Sequence, residues 1–353
     1  MKIKYKTLLF LFCLINLTSC SHKQIDMIED MFNAPKELKH ELIKNYDSEY
    51  YSKVYKLLID ENNLIAYDFN GTSFFSITDL DNNNKMHHFG VMGQGPNDVM
   101  RMPRDLSLMG NKEISFYSVN QSSMYAINYE KASDYYPRKI ISFDREKKIM
   151  NILPVAYNQY IVMGGFDEGR YLVLDKNGGD VSYSFGYPKF EGDNQLTGLH
   201  KFLAFQGDIM RRPDGKRFYF AGRTSEIFDI IEVNKNGKLD KIFSFEGQLA
   251  EFVVDGDGVN TGGVATKKES KLFYIDTNCT DNYIYLLFSN KAVVDGLYEA
   301  FQSNTVFVFD WKGKPITSYK LDIPVNCIAV DSTDKVLYGY NQEEEKMVKF
   351  KLN

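Results

Sequence analysis

One unit recurs along this chain: an apolar strand, an Asp or Asn, a turn often ending in Gly, and a second apolar strand. It appears as Phe74–Phe89 around Asp79 and Asp81, Tyr171–Phe185 around Asp175 and Gly178, Phe228–Phe245 around Asn234 and Gly237, and Val306–Leu321 around Asp310 and Gly313. Met124–Phe143 is a degenerate copy around Asn128, its tight turn replaced by a longer loop with Pro137. From Asp79 to Asn128 is 49 residues and from Asn128 to Asp175 is 47. The next intervals lengthen to 59 and 76, and the excess falls in Lys189–His200 and Gly247–Glu269, polar glycine-bearing stretches that read as loop insertions. A period of about 50 residues with several strands per unit is the spacing of propeller blades.

Beyond residue 45 the chain reads as short strands between turns, with no long helical periodicity, so the class is all-β. High Tyr and Phe content, 24 and 26 residues, fits pleated half-buried surfaces. A sixth unit, with strands at Cys327–Val330, Val336–Tyr340 and Met347–Leu352, stops one strand short. A ring is closed with fewest exposed edges when a strand from the other terminus completes that blade. Glu37–Asn45 is the candidate. The expected architecture is a six-bladed β-propeller over residues 37–353, closed by an N-terminal strand.

Ahead of it, Lys2, Lys4 and Lys6 precede an apolar run, Leu8–Leu17, too short to span a membrane, which needs about 20 residues. The run ends Leu17, Thr18, Ser19, Cys20, which resembles the lipobox of bacterial lipoprotein precursors. That resemblance implies a signal peptide over 1–19, lipidation of Cys20, membrane attachment through lipid, and a tether over 20–36. Diacylation plus an acyl amide buries enough methylenes, at about 0.8 kcal/mol each, for stable anchoring. With 42 basic and 47 acidic side chains the formal charge is −5, and loss of the three leader lysines brings it to −8. Nucleic acid is therefore not an expected partner. Cys279 and Cys327 are the remaining cysteines, and spacing alone does not decide between a disulfide and two buried thiols.

The run Phe89, Gly90, Val91, Met92, Gly93, Gln94, Gly95, Pro96, Asn97, Asp98 resembles the Gly x x Gly x Gly Pro x Glu signature of the TolB-like six-bladed propeller lipoproteins of Bacteroides and relatives. It departs at Asp98, where Glu is usual, and at Val99, where an aromatic is usual. The resemblance implies architecture and an envelope location but no reaction. Physically, Gly90, Gly93, Gly95 and Pro96 suit a sharp passage between blades. A phosphate loop is the poorer reading, because Asp98 stands where a third glycine belongs and no helix pattern follows.

No HExxH, Cys/His zinc spacing, nucleophile elbow or triad order is present, so no catalytic residue and no metal ligand is assigned. His87 and His88 are consecutive on a strand and point to opposite faces. Asp255 and Asp257 offer oxygens at alternate positions, enough for a loose Ca²⁺ contact, but the distal Glu of a calcium loop is missing and an acidic turn is the better reading. Tyr187, Phe190 and Phe252, in or beside the insertions, are the expected exposed contacts. The expected role is a non-enzymatic binding or scaffold module for an envelope protein, peptide or glycan; the alternative is a hydrolase or lyase with active residues converging in the channel. The residues after Cys20 lack an acidic run, which favours the periplasmic face of the outer membrane.

Overall fold

A computed structural model describes residues 27–43, 53–68, 72–82, 85–91, 93, 103–130, 137–190, 196–256 and 261–352. Two short strands open the order, β1 (Lys36–Leu38) and β2 (His40–Leu42). Blade 1 holds β3 (Val54–Asp60), β4 (Asn63–Asp68), β5 (Ser73–Asp79) and β6 (Lys85–Val91), and blade 2 holds β7 (Arg104–Leu108), β8 (Glu113–Ser118), β9 (Ser123–Asn128) and β10 (Arg138–Ser142). Blade 3 holds β11 (Ile149–Val155), β12 (Gln159–Gly164), β13 (Tyr171–Leu174) and β14 (Asp180–Ser184). Helix α1 (Gly198–Ala204) leads into blade 4, made of β15 (Gly207–Arg211), β16 (Arg217–Gly222), β17 (Ile227–Val233) and β18 (Leu239–Glu246). A separate hairpin follows, β19 (Phe252–Gly256) with β20 (Thr261–Thr266). Blade 5 holds β21 (Lys271–Cys279), β22 (Tyr283–Ala292), β23 (Ser303–Asp310) and β24 (Pro315–Val325), with α2 (Leu297–Ala300) between its second and third strands. Blade 6 holds β25 (Cys327–Val330), β26 (Val336–Asn341) and β27 (Lys346–Lys351).

The recurring Asp/Asn…Gly unit is the hairpin between the third and fourth strands of a blade. In blades 3, 4 and 5 its chemistry repeats atom for atom. Asp175 Oδ1 accepts from the amides of Asn177 and Gly179, Asn234 Oδ1 from Asn236 and Lys238, and Asp310 Oδ1 from Lys312 and Lys314. Gly178, Gly237 and Gly313 take φ of 82°, 74° and 81°, the left-handed conformation the turn needs. Blade 6 lacks the unit because its fourth strand comes from elsewhere in the chain.

Six apolar clusters fill the six seams between neighbouring blades, and the sixth joins blade 6 to blade 1 through Cys327, Ala329, Tyr338, Val54, Leu57 and Ile43. The ring is closed. β2 supplies the missing strand, antiparallel to β27 with His40 opposite Phe350 and Leu42 opposite Val348, and Ile43 N continues the ladder to Met347 O. The single strand expected over Glu37–Asn45 is in fact broken at Lys39. Its first half, β1, runs parallel to β24 on the outer edge of blade 5, with Lys36 opposite Tyr319 and Leu38 opposite Leu321.

Two boundaries move. The tether expected over 20–36 is docked from Met27 onward: Ile28 is fully buried, its amide donates to Glu226 Oε1 at 2.8 Å, and Phe32 stacks on Phe307 at 4.7 Å. The stretches expected as irregular insertions hold α1 and the β19–β20 hairpin, elements too short for periodicity to register. Residues 1–19, Cys20, Gly95, Pro96, Asp98 and Asp257 lie outside the described residues.

Candidate functional site

Each innermost strand of the ring begins on one face, which also carries every connection between blades and every loop between second and third strands. α1, the β19–β20 hairpin and α2 are all insertions in such connections, so they crowd one face. At the centre of the crowded face opens a cavity of about 560 Å³. Its wall is made by the inner strands: Val54, Tyr55 and Lys56 of β3, Arg104, Asp105 and Leu106 of β7, Asn151 of β11, Gly207–Met210 of β15, and Ile275 and Asp276 in the middle of β21. Phe202, Gln206, Arg223, Tyr298, Phe301, Asn326 and Gln342 line the rim.

The cavity's carboxylates are already engaged. Lys56 Nζ lies 2.6 Å from Asp276 Oδ1 and donates to Thr277 O at 2.5 Å, while Asp276 Oδ2 accepts from Ile328 N at 2.7 Å. One buried pair thus joins blades 1, 5 and 6. Burial works against the Lys56 ammonium, but the adjacent Asp276 carboxylate and the nearby Asp208 together outweigh it and hold the lysine above its usual pKa. Asp105 sits at φ 52° and accepts from Asn151 Nδ2 at 2.7 Å and Ile152 N at 2.8 Å, joining blade 2 to blade 3. Its burial pushes the carboxyl up to about 7. Asp208 pairs with Arg223 at 2.9 Å. By contrast Arg104 is exposed and has no ion pair among the described residues, and Lys53 lies over the Tyr55 ring at 5.1 Å. Tyr55 in turn stands 5.4 Å from Tyr67. The mouth therefore presents two cations, exposed rings and side-chain amides, with its acids paired or hydrogen-bonded.

Sequence reasoning missed this set, since its members come from every blade and share no motif. The rings it did single out face inward. Tyr187, Phe190 and Phe252 are half-buried and converge on Phe205, at centroid distances of 5.8, 5.7 and 6.3 Å, where they fasten the hairpin to α1. Exposure was expected because the segments are polar, but the aromatics in them are the anchors. Asp255 lies on β19. Among the described residues no three His, Cys, Asp or Glu side chains form a metal-holding group. His200 is spent in a capping box with Thr197 at the start of α1. Gly90, at φ 74°, would place a Cβ 2.7 Å from the Phe75 ring, so its role is close packing; Gly93 follows it in the passage to blade 2. Cys279 and Cys327 are both free thiols, Cys279 donating to Arg211 O at 3.2 Å.

A second buried acid titrates with Asp105. Asp68 is fully buried and accepts from Ser76 Oγ at 2.6 Å, its Oδ1 has no partner among the described residues, and burial raises it to about 7. Both groups hold protons more tightly folded than unfolded. Their charged forms therefore lower stability as pH rises from about 4 to 7, by about 2 kcal/mol each between pH 5 and 8. Asp331, where the Thr333 hydroxyl and backbone amides together outweigh burial, and Asp175, held low by backbone amide donors, act in the opposite sense and only at more acidic pH. Urea midpoints should be higher at pH 5 than at pH 8, and Asp68→Asn should flatten that slope; an unchanged slope would count against a neutral buried Asp68.

A family model described as TolB-like 6-blade propeller-like matches residues 32–333. Among solved structures, a Bacteroides fragilis protein described as exported is similar, with 10% identity, 93% of this chain and 97% of that chain covered, and a TM-score of 0.52. Regucalcin, a calcium-binding protein from Agrobacterium tumefaciens, gives 9% identity, 90% and 95% coverage, and a TM-score of 0.49. No curated protein matches the sequence. Likeness at this identity concerns the fold alone.

Proposed function

Given that the chain belongs to the TolB-like six-bladed propeller family, we propose that it is an exported lipoprotein, attached through Cys20, whose channel mouth binds a glycan. The supporting observation is the mouth itself: a cavity of about 560 Å³ in which Tyr55 is exposed beside Tyr67, with the cations Arg104 and Lys53 left over once Asp276 and Asp208 are paired. Aromatic faces suit the apolar faces of sugar rings, and Arg104, Lys53, Gln206 and Gln342 supply donors for acceptor oxygens. Saccharides bearing carboxylates or phosphates should be preferred over neutral ones, because Arg104 adds a charge-assisted contact. Location at the periplasmic face of the outer membrane, and a scaffold role toward an envelope protein, belong to the same reading.

The alternative, a hydrolase or lyase, draws on Asp105, whose carboxyl near 7 sits in the cavity wall as a general acid or base would. Both its oxygens are occupied by donors from blade 3, which favours a structural role. Glycan-array capture separates the readings. Tyr55→Ala and Arg104→Ala should each weaken retention of acidic saccharides by about tenfold, the value of one such contact. Saccharide cleavage that Asp105→Asn abolishes would favour the enzyme, and capture of peptides alone would replace the glycan.

A further inference from the structure

We infer that the mouth face is held against the lipid bilayer, resting on an apolar ridge over blades 4 and 5, so that the cavity opens beside the membrane surface. The inference rests on the proposed lipidation of Cys20. Only six residues lie between Cys20 and Met27, and so short a chain reaches at most about 25 Å. Met27 packs in the seam between blades 4 and 5, and the next amide, of Ile28, is bonded to Glu226. Glu226 belongs to the loop after β16, three residues beyond Arg223 on the cavity rim. The tether therefore leaves the ring on the crowded face, at its blade 4–5 side.

The same sector carries the most prominent apolar surface. Of the thirteen most exposed large apolar side chains among the described residues, five are here: Val253 and Val254 on β19, then Val294, Tyr298 and Phe301 around α2. Tyr298 is 68% exposed and Val294 58%. The two elements form one ridge, because Val294 N donates to Lys268 O just after the hairpin, and Phe252 pins the hairpin to α1. On the opposite face the exposed apolar residues, Met109, Tyr157, Val181 and Ile316, are scattered over blades 2, 3 and 5. Exposed Lys268 and Lys291 flank the ridge, and exposed Asp295 and Glu299 stand beside Val294 and Tyr298. Rings and valines with charges of both signs at their border suit the headgroup layer, and a lipid attached within about 25 Å holds them there. Contact at blades 4 and 5 alone tilts the ring, leaving the mouth open along the membrane toward membrane-linked glycans.

The test reconstitutes the full lipoprotein, isolated from its membrane, in vesicles of phosphatidylethanolamine and phosphatidylglycerol with bromine near the headgroups. Trp311 is the single native tryptophan and is buried in the blade 4–5 seam, so it gives a constant background. Tyr298→Trp on the ridge should lose about half its added emission, as a ring in the interfacial layer would. Ile316→Trp on the opposite face should lose none. Equal quenching at both positions, quenching at Ile316→Trp alone, or quenching at neither in protein whose mass shows an acylated Cys20 would overturn the inference. An unmodified Cys20 would overturn the anchoring reading and this inference with it.

Discussion

Removing residues 27–43 is expected to abolish cooperative unfolding. This segment is the strap that turns six stacked sheets into a ring: Ile28 and Phe32 fill the blade 4–5 seam, β1 extends blade 5, β2 completes blade 6, and Ile43 enters the seam between blades 6 and 1. Burying Ile28, Phe32, Leu38 and Ile43 contributes about 1.5–3 kcal/mol per side chain, together comparable to the about 5–15 kcal/mol by which a domain is stable. Loss of the strap also exposes the edge of β27 and leaves Glu226 without the Ile28 donor. Circular dichroism melts of a chain starting at residue 44 should show no sharp transition, whereas one starting at Met27 should melt like the full protein. A sharp, unshifted melt of the shorter chain would show that the blades close without the strap.

Asp229→Ala should cost about 3–5 kcal/mol, the price of stranding a buried charge. Arg170 and Asp229 are 2% and 1% exposed and pair at 3.0 Å across the seam between blades 3 and 4. The guanidinium lies 3.8 Å from the Phe220 centroid and is flanked by Tyr171 and Tyr187, and its Nε and Nη2 have no hydrogen-bond partner among the described residues. Among the described residues Asp229 is its one anionic contact, held in turn by Ser244 Oγ at 2.6 Å and by Lys241. Replacing both partners, Arg170→Met with Asp229→Leu, should recover most of the loss, since apolar groups of similar size pack in place of a buried pair. Denaturant midpoints of the three variants decide this. A loss under 1 kcal/mol for Asp229→Ala would mean that water reaches the pair.

The fold was legible where the chain repeats itself. The third-to-fourth-strand hairpins carry an Asp or Asn that accepts from two amides and a glycine in the left-handed region, so the same local chemistry marks blades 3, 4 and 5 in sequence. The deficit of one strand after Leu352 pointed to an N-terminal closure, and β2 meets it. The extra parallel strand β1 left no signal, since three residues show no alternation that a loop would not. The mouth was illegible for a different reason. Lys56, Asp105, Asp208 and Asp276 stand on four strands from four blades and meet only because each inner strand starts on the same face. Tyr187, Phe190 and Phe252 misled because polar neighbours suggested exposure where the rings were anchoring an insertion.

The central claim is that the channel mouth is where this propeller meets its ligand. Its most direct measurement is photocrosslinking in cells, with a photoreactive side chain replacing either Tyr55 at the mouth or Tyr157 on the opposite face, both exposed in the structure. Discrete adducts bearing carbohydrate from Tyr55, and none from Tyr157, are the predicted result. Adducts from Tyr157 with none from Tyr55 would contradict it.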